Sequence, residues 1–422
     1  MVIFAQDLAR DLGLPSVSWW SSLYYFSRLR RKAVKIQIPL AIRSLGLLLA
    51  LASGAVASAQ SSRLNPIPTA IPSLRISPDA RGASLGDIGV ATGADAYAQY
   101  WNAAKYSFAL EPQGVALAYT PWLTKLVSDI ALMQLAGYVQ LDAARRHSLG
   151  ASLRYFNIGE VVLWNAEGAE IDLVNPREYA LDLSYSYRLL PTLSAALTLR
   201  YIHSDYDMSV RRAASALSGD LGLYMQRSVH LVGRSGQWMA GLALKNLGDK
   251  VSYDLGKTYH FLPTSLSLGS GLSLDLAPEH RLLASFELSK LLVPTPPLPS
   301  RELNALEWED LRRAYHSTSP IEALVSSWSD APGGLAEELR EVRWGLGLEY
   351  SYLDRFFGRL GYSYLHPDKG DIESLNFGVG FKARAFTIDV AYLASLGKYS
   401  PLDRTFRFSL TISIDGIQAM LK

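Results

Sequence analysis

From Gln113 onward the chain repeats a single pattern, in which about ten residues alternate apolar with polar or small side chains before a turn. Residues 149–155 and 193–201 show it clearly, with leucine, alanine or tyrosine at every odd position. A period of two places the two sets of side chains on opposite faces of a sheet, and about ten residues in a tilted strand span a bilayer. The repeat therefore predicts membrane-spanning strands whose apolar set faces lipid.

A soluble all-β fold would also alternate, but it would bury its apolar set. Such a fold also seldom needs aromatic residues at so many strand ends. Aromatic residues make up 11% of the sequence, with 23 tyrosines, and charged residues only 19%. That balance is typical of proteins whose aromatic rings lie at membrane interfaces. We therefore favour the membrane protein over a soluble sandwich.

Fourteen segments carry the pattern, an even number as closure of an antiparallel barrel requires. They are residues 113–120, 130–140, 148–158, 178–188, 193–204, 215–226, 236–245, 264–275, 281–291, 342–352, 355–365, 373–382, 385–395 and 404–414. The fold class that follows is all-β, a 14-stranded antiparallel transmembrane β-barrel (residues 113–422) with an N-terminal plug inside its lumen.

The connections alternate in length, which orients the predicted barrel. Short connections at 189–191, 277–280, 353–354 and 383–384 are expected on the periplasmic side. Long connections at 159–177, 204–214, 246–262 and 293–341 are expected outside the cell. The polar face of the strands should line the interior, with a charged set made of Arg154, Asp182, Arg200, Glu287, Glu349, Lys382, Asp389 and Arg407.

The first 59 residues read as a secretory signal peptide. Basic residues between Arg28 and Arg43 precede an apolar run from Leu45 to Val56, and Ala57-Ser58-Ala59 offers a cleavage site before Gln60. The stretch before Arg28 is long for a leader, so the true start is expected downstream of Met1, with a genuine N-terminal extension as the alternative. Residues 60–75, rich in proline, are predicted to be an extended periplasmic strap.

Residues 76–112 are small, polar and without periodicity, which predicts an irregular plug. Irregular backbone at membrane depth is tolerated only where protein or water covers it, so this piece belongs in the lumen. Its glycines would let backbone approach backbone. The plug residues expected to matter are Pro78, Asp79, Arg81, Gly82, Gly86, Asp87, Trp101 and Asn102.

The connection 293–341 is the longest, and loops of this length are usually functional or disordered. Leucines between Arg301 and Tyr315 have roughly helical spacing, which predicts a short helix over the barrel mouth. The residues expected to bind cargo or a partner are Pro294, Pro296, Pro297, Trp328, Asp330, Pro332, Gly333 and Gly334.

Composition and motifs argue against catalysis. The chain has no cysteine, which excludes thiolate chemistry and disulfides. Residues 82–86 match G-x-S-x-G, but no α/β sheet supports a nucleophile there. The seven histidines form no H-x-x-x-H pair. His203, Asp205 and Asp207 could hold a cation, but we favour a solvated acidic loop as the interpretation. We expect no enzyme, no cofactor and no metal.

The charge balance gives no sign of a nucleic-acid partner. Removing the leader's seven basic and two acidic residues leaves 34 Lys and Arg against 37 Asp and Glu, a net charge of about −3 for residues 60–422. The expected surroundings are outer-membrane lipid.

The sequence resembles the PorV (LptO) family of the type IX secretion system of Bacteroidetes. The resemblance rests on residues 76–82, 86–92 and 100–102, and on 119–123, 291–297, 330–334 and 337–339 farther along. It implies a barrel distantly related to FadL transporters, in the outer membrane of a Gram-negative bacterium with loops on the cell surface. It also implies a non-enzymatic carrier that takes cargo with a C-terminal sorting domain from the SprA/Sov translocon to the PorU sortase attachment complex.

Two other functions remain open at this point. A FadL-like barrel could transport hydrophobic small molecules past a mobile plug, an expectation that rests on analogy of fold. A barrel could also serve only to stabilise a larger complex. A transport tunnel should be apolar with few polar anchors, whereas the predicted inward face is charged and small.

Overall fold

A computed structural model describes residues 64–122, 129–165, 168–206, 213–256, 258–298, 304–397 and 404–421. Sixteen strands are found there: β1 (Gln113–Pro121), β2 (Ala131–Gln140), β3 (His147–Asn157), β4 (Val161–Trp164), β5 (Glu170–Val174), β6 (Arg177–Leu190), β7 (Leu193–Asp205), β8 (Ala214–Leu231), β9 (Arg234–Gly248), β10 (Ser265–Ala277), β11 (His280–Leu291), β12 (Arg343–Tyr352), β13 (Phe356–Leu365), β14 (Ile372–Lys382), β15 (Phe386–Ser395) and β16 (Thr405–Ile412).

The α-helices of the same ranges are short. They are α1 (Ala80–Ser84), α2 (Ala98–Trp101), α3 (Ala305–Ser317), α4 (Pro320–Ser326), α5 (Leu335–Arg340) and α6 (Ile414–Leu421). Three 3-10 helices lie at Pro72–Arg75, Ala103–Phe108 and Pro367–Lys369. Within the described ranges, no helix has the length and apolar character needed to cross a membrane.

Fourteen strands close into one antiparallel barrel, as the alternation predicted. Each strand pairs with its neighbour in sequence, and β1 pairs with β16 from Val115 opposite Ile412 to Tyr119 opposite Phe408. All fourteen predicted segments coincide with these strands to within a few residues at their ends. The remaining two strands, β4 and β5, form a separate hairpin within the connection from β3 to β6, where only a loop was predicted.

The two faces of the wall differ as the period of two requires. Outward positions such as Leu153, Leu183 and Leu199 are exposed on the isolated chain, whereas the intervening Arg154, Ser184 and Arg200 are buried. Exposed apolar side chains on a barrel wall are what lipid covers. Aromatic pairs mark the strand ends: His147 hydrogen-bonds Tyr185 (2.7 Å), and His280 hydrogen-bonds Tyr350 (2.5 Å).

The strand connections are short at one end of the barrel and long at the other. The short-turn end carries the turns after β2, β6, β8, β10, β12 and β14, and the helix α6. The long-loop end carries the connections after β1, β3, β7, β9, β11, β13 and β15. The connection between β11 and β12, residues 292–342, contains α3, α4 and α5 and is called the long loop below.

Residues 76–112, called the plug below, lie inside the barrel. Helix α1 contacts β13 to β16, and the 3-10 helix Ala103–Phe108 contacts β2, β3, β6, β7 and β8. Val90 and Ala91 reach the glycines of β9 and β10. Because these contacts go round the wall, the plug fills the lumen, as the sequence predicted.

The segment before the plug, residues 64–75, is called the entry segment. It lies at the long-loop end, since Asn65 N–H donates to Asp368 O (2.8 Å) and Ala70 N–H donates to Phe261 O (2.8 Å). The sequence placed this stretch, as a periplasmic strap, at the same end as the short turns. The structure differs because the plug needs residues 76–112 to cross the lumen before β1 begins at the short-turn end. The predicted signal peptide, residues 1–59, lies outside the described residues.

Candidate functional site

The plug is built around one indole ring. Trp101 packs directly on Gly82 and Gly89, where even a methyl group would overlap the ring. Its Nε1 donates to Asp79 Oδ1 at 2.7 Å. Two glycines and one buried carboxylate therefore hold the only tryptophan of the plug.

Two side chains predicted as plug residues begin its helices. Asp79 caps α1, because its Oδ2 accepts from Gly82 N–H at 2.6 Å. Asn102 caps the 3-10 helix that follows it, accepting from Ala104 N–H at 3.1 Å. Asn102 also donates through Nδ2 to Leu223 O of β8 at 2.8 Å. The caps therefore fix the plug's turns and tie it to the wall together.

Arg81 joins the plug to strand β12 of the barrel wall. Its Nε and Nη2 donate to the two oxygens of Glu349 at 3.0 and 3.1 Å, and its Nη1 donates to Asp95 at 2.9 Å. Arg359 donates to both Glu349 and Asp389 at 2.6 Å. The bidentate arginine fork orders one end of a five-residue charge network that spans plug, β12, β13 and β15.

Asp87 makes a second link between plug and wall. Arg343 of β12 donates to its Oδ2 at 2.8 Å, and Arg407 of β16 lies 3.4 Å from its Oδ1. Arg407 also donates to the carbonyl of Ser77 at 2.7 Å. Pro78 is held beside it, because Thr120 Oγ1 donates to the Pro78 carbonyl at 3.1 Å.

Glycines of the wall allow this close approach. Gly86 has a φ of 89° and its backbone lies against β12 and β13, where a Cβ at Gly361 would overlap the Gly86 nitrogen. Gly345 and Gly347 stand in the same position against the plug backbone. The sequence predicted close approach from the plug's own glycines. The structure shows that the strands contribute at least as many.

A buried charge cluster lies on the other side of the lumen. Arg200 of β7 donates to Asp182 at 2.7 and 3.0 Å and to Asp220 at 2.9 and 3.1 Å. Nearby, Lys245 Nζ lies 4.1 Å from the centre of the Tyr100 ring. A cavity of about 10 Å³ between these side chains is about the room for one water molecule.

The predicted inward set is largely confirmed. Seven of its eight members are buried: Arg154, Asp182, Arg200, Glu287, Glu349, Asp389 and Arg407. Glu287 accepts from the N–H groups of Gly89 and Val90, both at 2.9 Å. Lys382 differs, because it lies at the end of β14 where its side chain is 42% exposed and 3.7 Å from Glu111.

The long loop is fastened to the barrel mouth by two buried lysines. Lys290 donates to Glu338 at 2.9 Å and to Glu341 at 2.5 Å. Lys369 donates to Glu337 at 2.5 Å and to Glu341 at 2.9 Å. These five residues form the loop clamp, in which one turn of α5 and the residue after it supply all three carboxylates.

The entry segment also contacts the loop clamp. Asn65 Nδ2 donates to Glu337 Oε1 at 3.3 Å and to Pro296 O at 3.4 Å. Ile67 packs in an apolar cluster with Val293, Phe261 and Ala323 of α4. The long loop, the entry segment and the plug are therefore continuous in packing.

Two carboxyl groups at or beside the loop clamp, those of Asp330 and Glu337, have pKa values shifted in opposite directions. Burial raises the pKa of Asp330 and the neighbouring Glu338 and Glu341 add to it, although Thr295 N–H donates to Asp330 at 3.2 Å. Partial burial acts in the same direction on Glu337, but hydrogen bonds from Lys369 and Gly333 outweigh it and lower the pKa of Glu337.

The predicted loop residues divide between the clamp and the free surface. Pro294 is buried, Pro296 accepts from Asn65, and Asp330 accepts from Thr295. Gly333 N–H donates to Glu337 at 2.8 Å, and Gly334, with φ 64°, begins α5. Pro297, Pro332 and Trp328 lie nearer the surface.

The outer face of the long loop is exposed and apolar. Large side chains at 50–77% exposure include Leu306, Ile321, Val325, Trp328, Leu335 and Leu339. Helix α3 confirms the predicted helix and begins with a capping box at Asn304 and Glu307. It has no fully buried side chain, but its C-terminal end contacts the barrel mouth, where Tyr315 packs edge-to-face on Phe261 and Lys250 Nζ donates to His316 O at 2.9 Å. Helices α4 and α5 were not predicted.

The motifs considered for chemistry have structural partners. Ser84 Oγ of the G-x-S-x-G match donates to Arg81 O at 2.8 Å. His203 lies 2.9 Å from Ser215 Oγ and stacks on Tyr179, and Asp207 falls outside the described residues. In the described ranges, no group of three or more histidine and carboxylate side chains is placed to hold a metal ion.

Several site residues were missed by sequence reasoning. Lys290, Lys369 and Glu341 lie outside the segments on which the resemblance rests, and Asn65 lies in a stretch interpreted as a strap. Glu337 and Glu338 lie in the matched segment 337–339, but no role was predicted for them. A signal existed for Lys290, because it interrupts the apolar end of a strand. Nothing in the sequence identified the partners of these residues.

Fold and site together define a class: a transmembrane β-barrel whose lumen is closed by its own N-terminal segment. A sequence model of the family described as "Type IX secretion system protein PorV" matches residues 58–298, which is more than half of the 422 residues. The chain belongs to the PorV family and is an outer-membrane component of type IX secretion.

Comparison with solved structures finds chains of low sequence identity that follow a partly similar course. The Ralstonia pickettii toluene transporter TbuX has a TM-score of 0.41 at 12% identity, covering 79% of this chain and 96% of that one. The Pseudomonas putida toluene transporter TodX has 0.42 at 12%, covering 84% and 98%. A Pseudomonas aeruginosa FadL homologue has 0.39 at 11%, covering 83% and 99%. Curated protein sequences gave no match.

Proposed function

We propose that the protein is a non-enzymatic carrier and adaptor of type IX secretion. It takes cargo with a C-terminal sorting domain from the SprA/Sov translocon and presents it to the PorU sortase attachment complex. The long-loop end faces the outside of the cell, where the exposed face of the long loop contacts cargo.

The observation that carries the proposal is the closed lumen beside an anchored but exposed loop. Arg81, Asp87 and Asn102 bind the plug to opposite sides of the wall, so the interior offers no passage in this state. The binding surface that is left is outside the lumen, on the helices of the long loop, whose large apolar side chains are exposed. Exposed apolar patches rimmed by charge are typical of protein-binding sites.

The alternative, a FadL-like transporter of hydrophobic small molecules, requires the plug to leave its place. Doing so would separate Arg81 from Glu349 and Asp87 from Arg343 and Arg407, and breaking a buried ion pair costs about 3–5 kcal/mol. The inner surface is also polar where a hydrophobic substrate would pass. We therefore favour the carrier.

A loop variant tests the carrier proposal. Ile321, Val325, Leu335 and Leu339 are each replaced by serine, which removes the apolar surface while leaving the loop clamp intact. We expect loss of co-purified cargo and of cargo attached at the cell surface, with normal barrel assembly. The matched control replaces Glu309 and Asp310 of α3 by glutamine and asparagine, which are equally exposed but polar.

Unchanged cargo binding by the serine variant would reject the loop as the cargo site. Uptake of a labelled long-chain fatty acid by cells expressing the protein, above cells lacking it, would favour the transporter.

A further inference from the structure

The hairpin of β4 and β5 rises from the barrel rim as a separate structure. It continues the ladder between β3 and β6, because Asn157 lies opposite Arg177 and Ile158 N–H donates to Pro176 O at 3.0 Å. Among the described residues, β4 and β5 pair in a sheet only with each other. Residues 158–165 and 168–176 are called the rim hairpin below.

One face of the rim hairpin is apolar and uncovered. Val162 lies opposite Leu173, and these two with Trp164 and Ile171 are 38–64% exposed. On the opposite face, at the base of the hairpin, Val174 is buried and lies opposite Val161. The hairpin therefore carries its large apolar side chains on an exposed face, where a hairpin without a partner would carry polar ones.

Lipid chains do not account for this face. Tyr155 and Tyr179 stack on the outward wall just below the hairpin, and His203 stacks on Tyr179 at 5.0 Å. Such aromatic residues mark the level of the membrane interface. The rim hairpin begins three residues after Tyr155 and ends three residues before Tyr179, on the side away from the membrane centre. Its apolar row therefore stands at or above the headgroup layer.

Charge argues against lipid headgroups as the cover as well. Glu160, Glu170 and Asp172 are exposed on the hairpin, and residues 158–176 contain no lysine or arginine. Headgroup phosphates carry the same sign and would be repelled. Glu170 lies opposite Trp164 and borders the apolar row, whereas Asp172 lies opposite Leu163 on the other face. A protein surface with basic side chains around an apolar centre would satisfy both the apolar row and Glu170.

We propose that the rim hairpin is the lateral docking surface for a second outer-membrane protein, which presents apolar side chains flanked by lysine or arginine just above the bilayer. This deepens the proposed function and rests on it for the orientation of the long-loop end. It assigns contact with a membrane-embedded partner to this sector of the rim and leaves the long loop for cargo.

Crosslinking in native outer membranes tests the proposal. A photoreactive phenylalanine analogue replaces Trp164, and the control position is Leu221, an outward residue of β8 that is 49% exposed. We expect an adduct with another integral outer-membrane protein at 164 and lipid adducts only at 221. The variant Glu170→Lys should reduce the protein adduct at least about tenfold.

Three results would overturn the proposal: lipid adducts alone at 164, an adduct with a second copy of this chain, or an adduct that charge reversal leaves unchanged. The charge change is on an exposed side chain, and unchanged heat-modifiable migration of the variant confirms folding. Co-purification of secretion partners by the unaltered protein is measured in parallel. If partners co-purify while 164 reaches only lipid, the docking surface is wrong and the proposed function stands.

Discussion

At the scale of single residues, the closed lumen depends on which positions lack a side chain and which carry a paired charge. Trp101 fits because Gly82 and Gly89 leave room, and the plug backbone reaches the wall because Gly345, Gly347 and Gly361 do. A Cβ at these positions would overlap the Trp101 ring or, at the wall glycines, mainly backbone atoms of the plug, and neither can move aside cheaply in a close-packed interior.

Gly361 gives the sharpest test of this packing. We expect Gly361→Ala to destabilise the barrel by at least about 1–3 kcal/mol, because the new methyl group overlaps the plug backbone at Gly86. Gly358→Ala, on the same strand, is the control, since a Cβ there meets no atom within 4 Å. Chemical unfolding of the refolded barrel in detergent, read by heat-modifiable migration, measures both. Equal stability of the two variants would contradict the role of Gly361.

Arg200 tests the buried charges. Arg200→Met leaves Asp182 and Asp220 buried without their partner, and we expect a loss of about 3–5 kcal/mol in the free energy of unfolding. Arg281→Met is matched to it, because Arg281 also pairs with two aspartates but at the surface. Exposed pairs contribute about 0–1 kcal/mol, so this control should unfold almost as the parent does. A similar loss in both variants would contradict the distinction.

At the scale of elements, the loop clamp decides how far the long loop can move. It joins α5 to the ends of β11 and of the turn after β13, while α3 has no buried side chain. The loop therefore has a fixed base and an exposed tip. A fixed base positions the apolar face and limits the entropy lost on binding a partner.

Lys369 holds the base of the loop. We expect Lys369→Met to free α5 and the entry segment, because Glu337 and Glu341 then lack their shared donor. In this cysteine-free chain, a single cysteine replacing Ile67 reports the change as faster thiol labelling. Arg313→Met, which breaks an exposed pair in α3, should leave labelling unchanged. Equal labelling of all three proteins would exclude the clamp as the restraint on the entry segment.

Glu337 predicts a dependence on pH. Its pKa in the folded protein lies below the ordinary 4.5, so its contribution is complete above pH 4.5 and is lost as the pH falls through the lower folded value. The reporter is again the cysteine that replaces Ile67. We expect its rate of thiol labelling to differ at neutral pH between the parent and the Glu337→Gln variant, and the two rates to converge under acid conditions. The comparison cancels the opposite effect of Asp330, whose pKa is raised. A difference that persists unchanged in acid would contradict this assignment.

At the scale of the whole molecule, the question is whether the plug moves during function. A carrier needs the plug only to close the lumen, whereas a transporter needs the plug to move. Ser107 of the plug and Ser186 of β6 have their hydroxyl oxygens 2.9 Å apart, which suits a crosslink between plug and wall.

A cysteine pair at Ser107 and Ser186 distinguishes the two functions. We expect equal cargo delivery with the disulfide formed or reduced, because the plug stays in place. The control pair replaces Ser363 and Ser374, 2.8 Å apart on the neighbouring strands β13 and β14, and ties wall to wall only. Loss of function that appears only with the oxidised plug pair would show that plug movement is required.

The sequence by itself determined the barrel: the number of strands, their approximate ends, the face toward lipid and the inward charges all followed from a local period of two. It also placed residues 76–112 in the lumen, because irregular small residues need cover. Each of these inferences uses neighbours in the chain, and lipid imposes its demand on every strand separately.

Only the tertiary structure decided which charges meet, where the entry segment lies and that residues 158–165 and 168–176 form a hairpin. Arg81 pairs with Glu349 across 268 positions of sequence, and Asn65 reaches Glu337 across 272. Such pairings depend on closure of β1 on β16, which sets every inward side chain at a fixed height and angle around the plug. A local pattern has no information about that angle, so the partners are fixed only when the barrel closes.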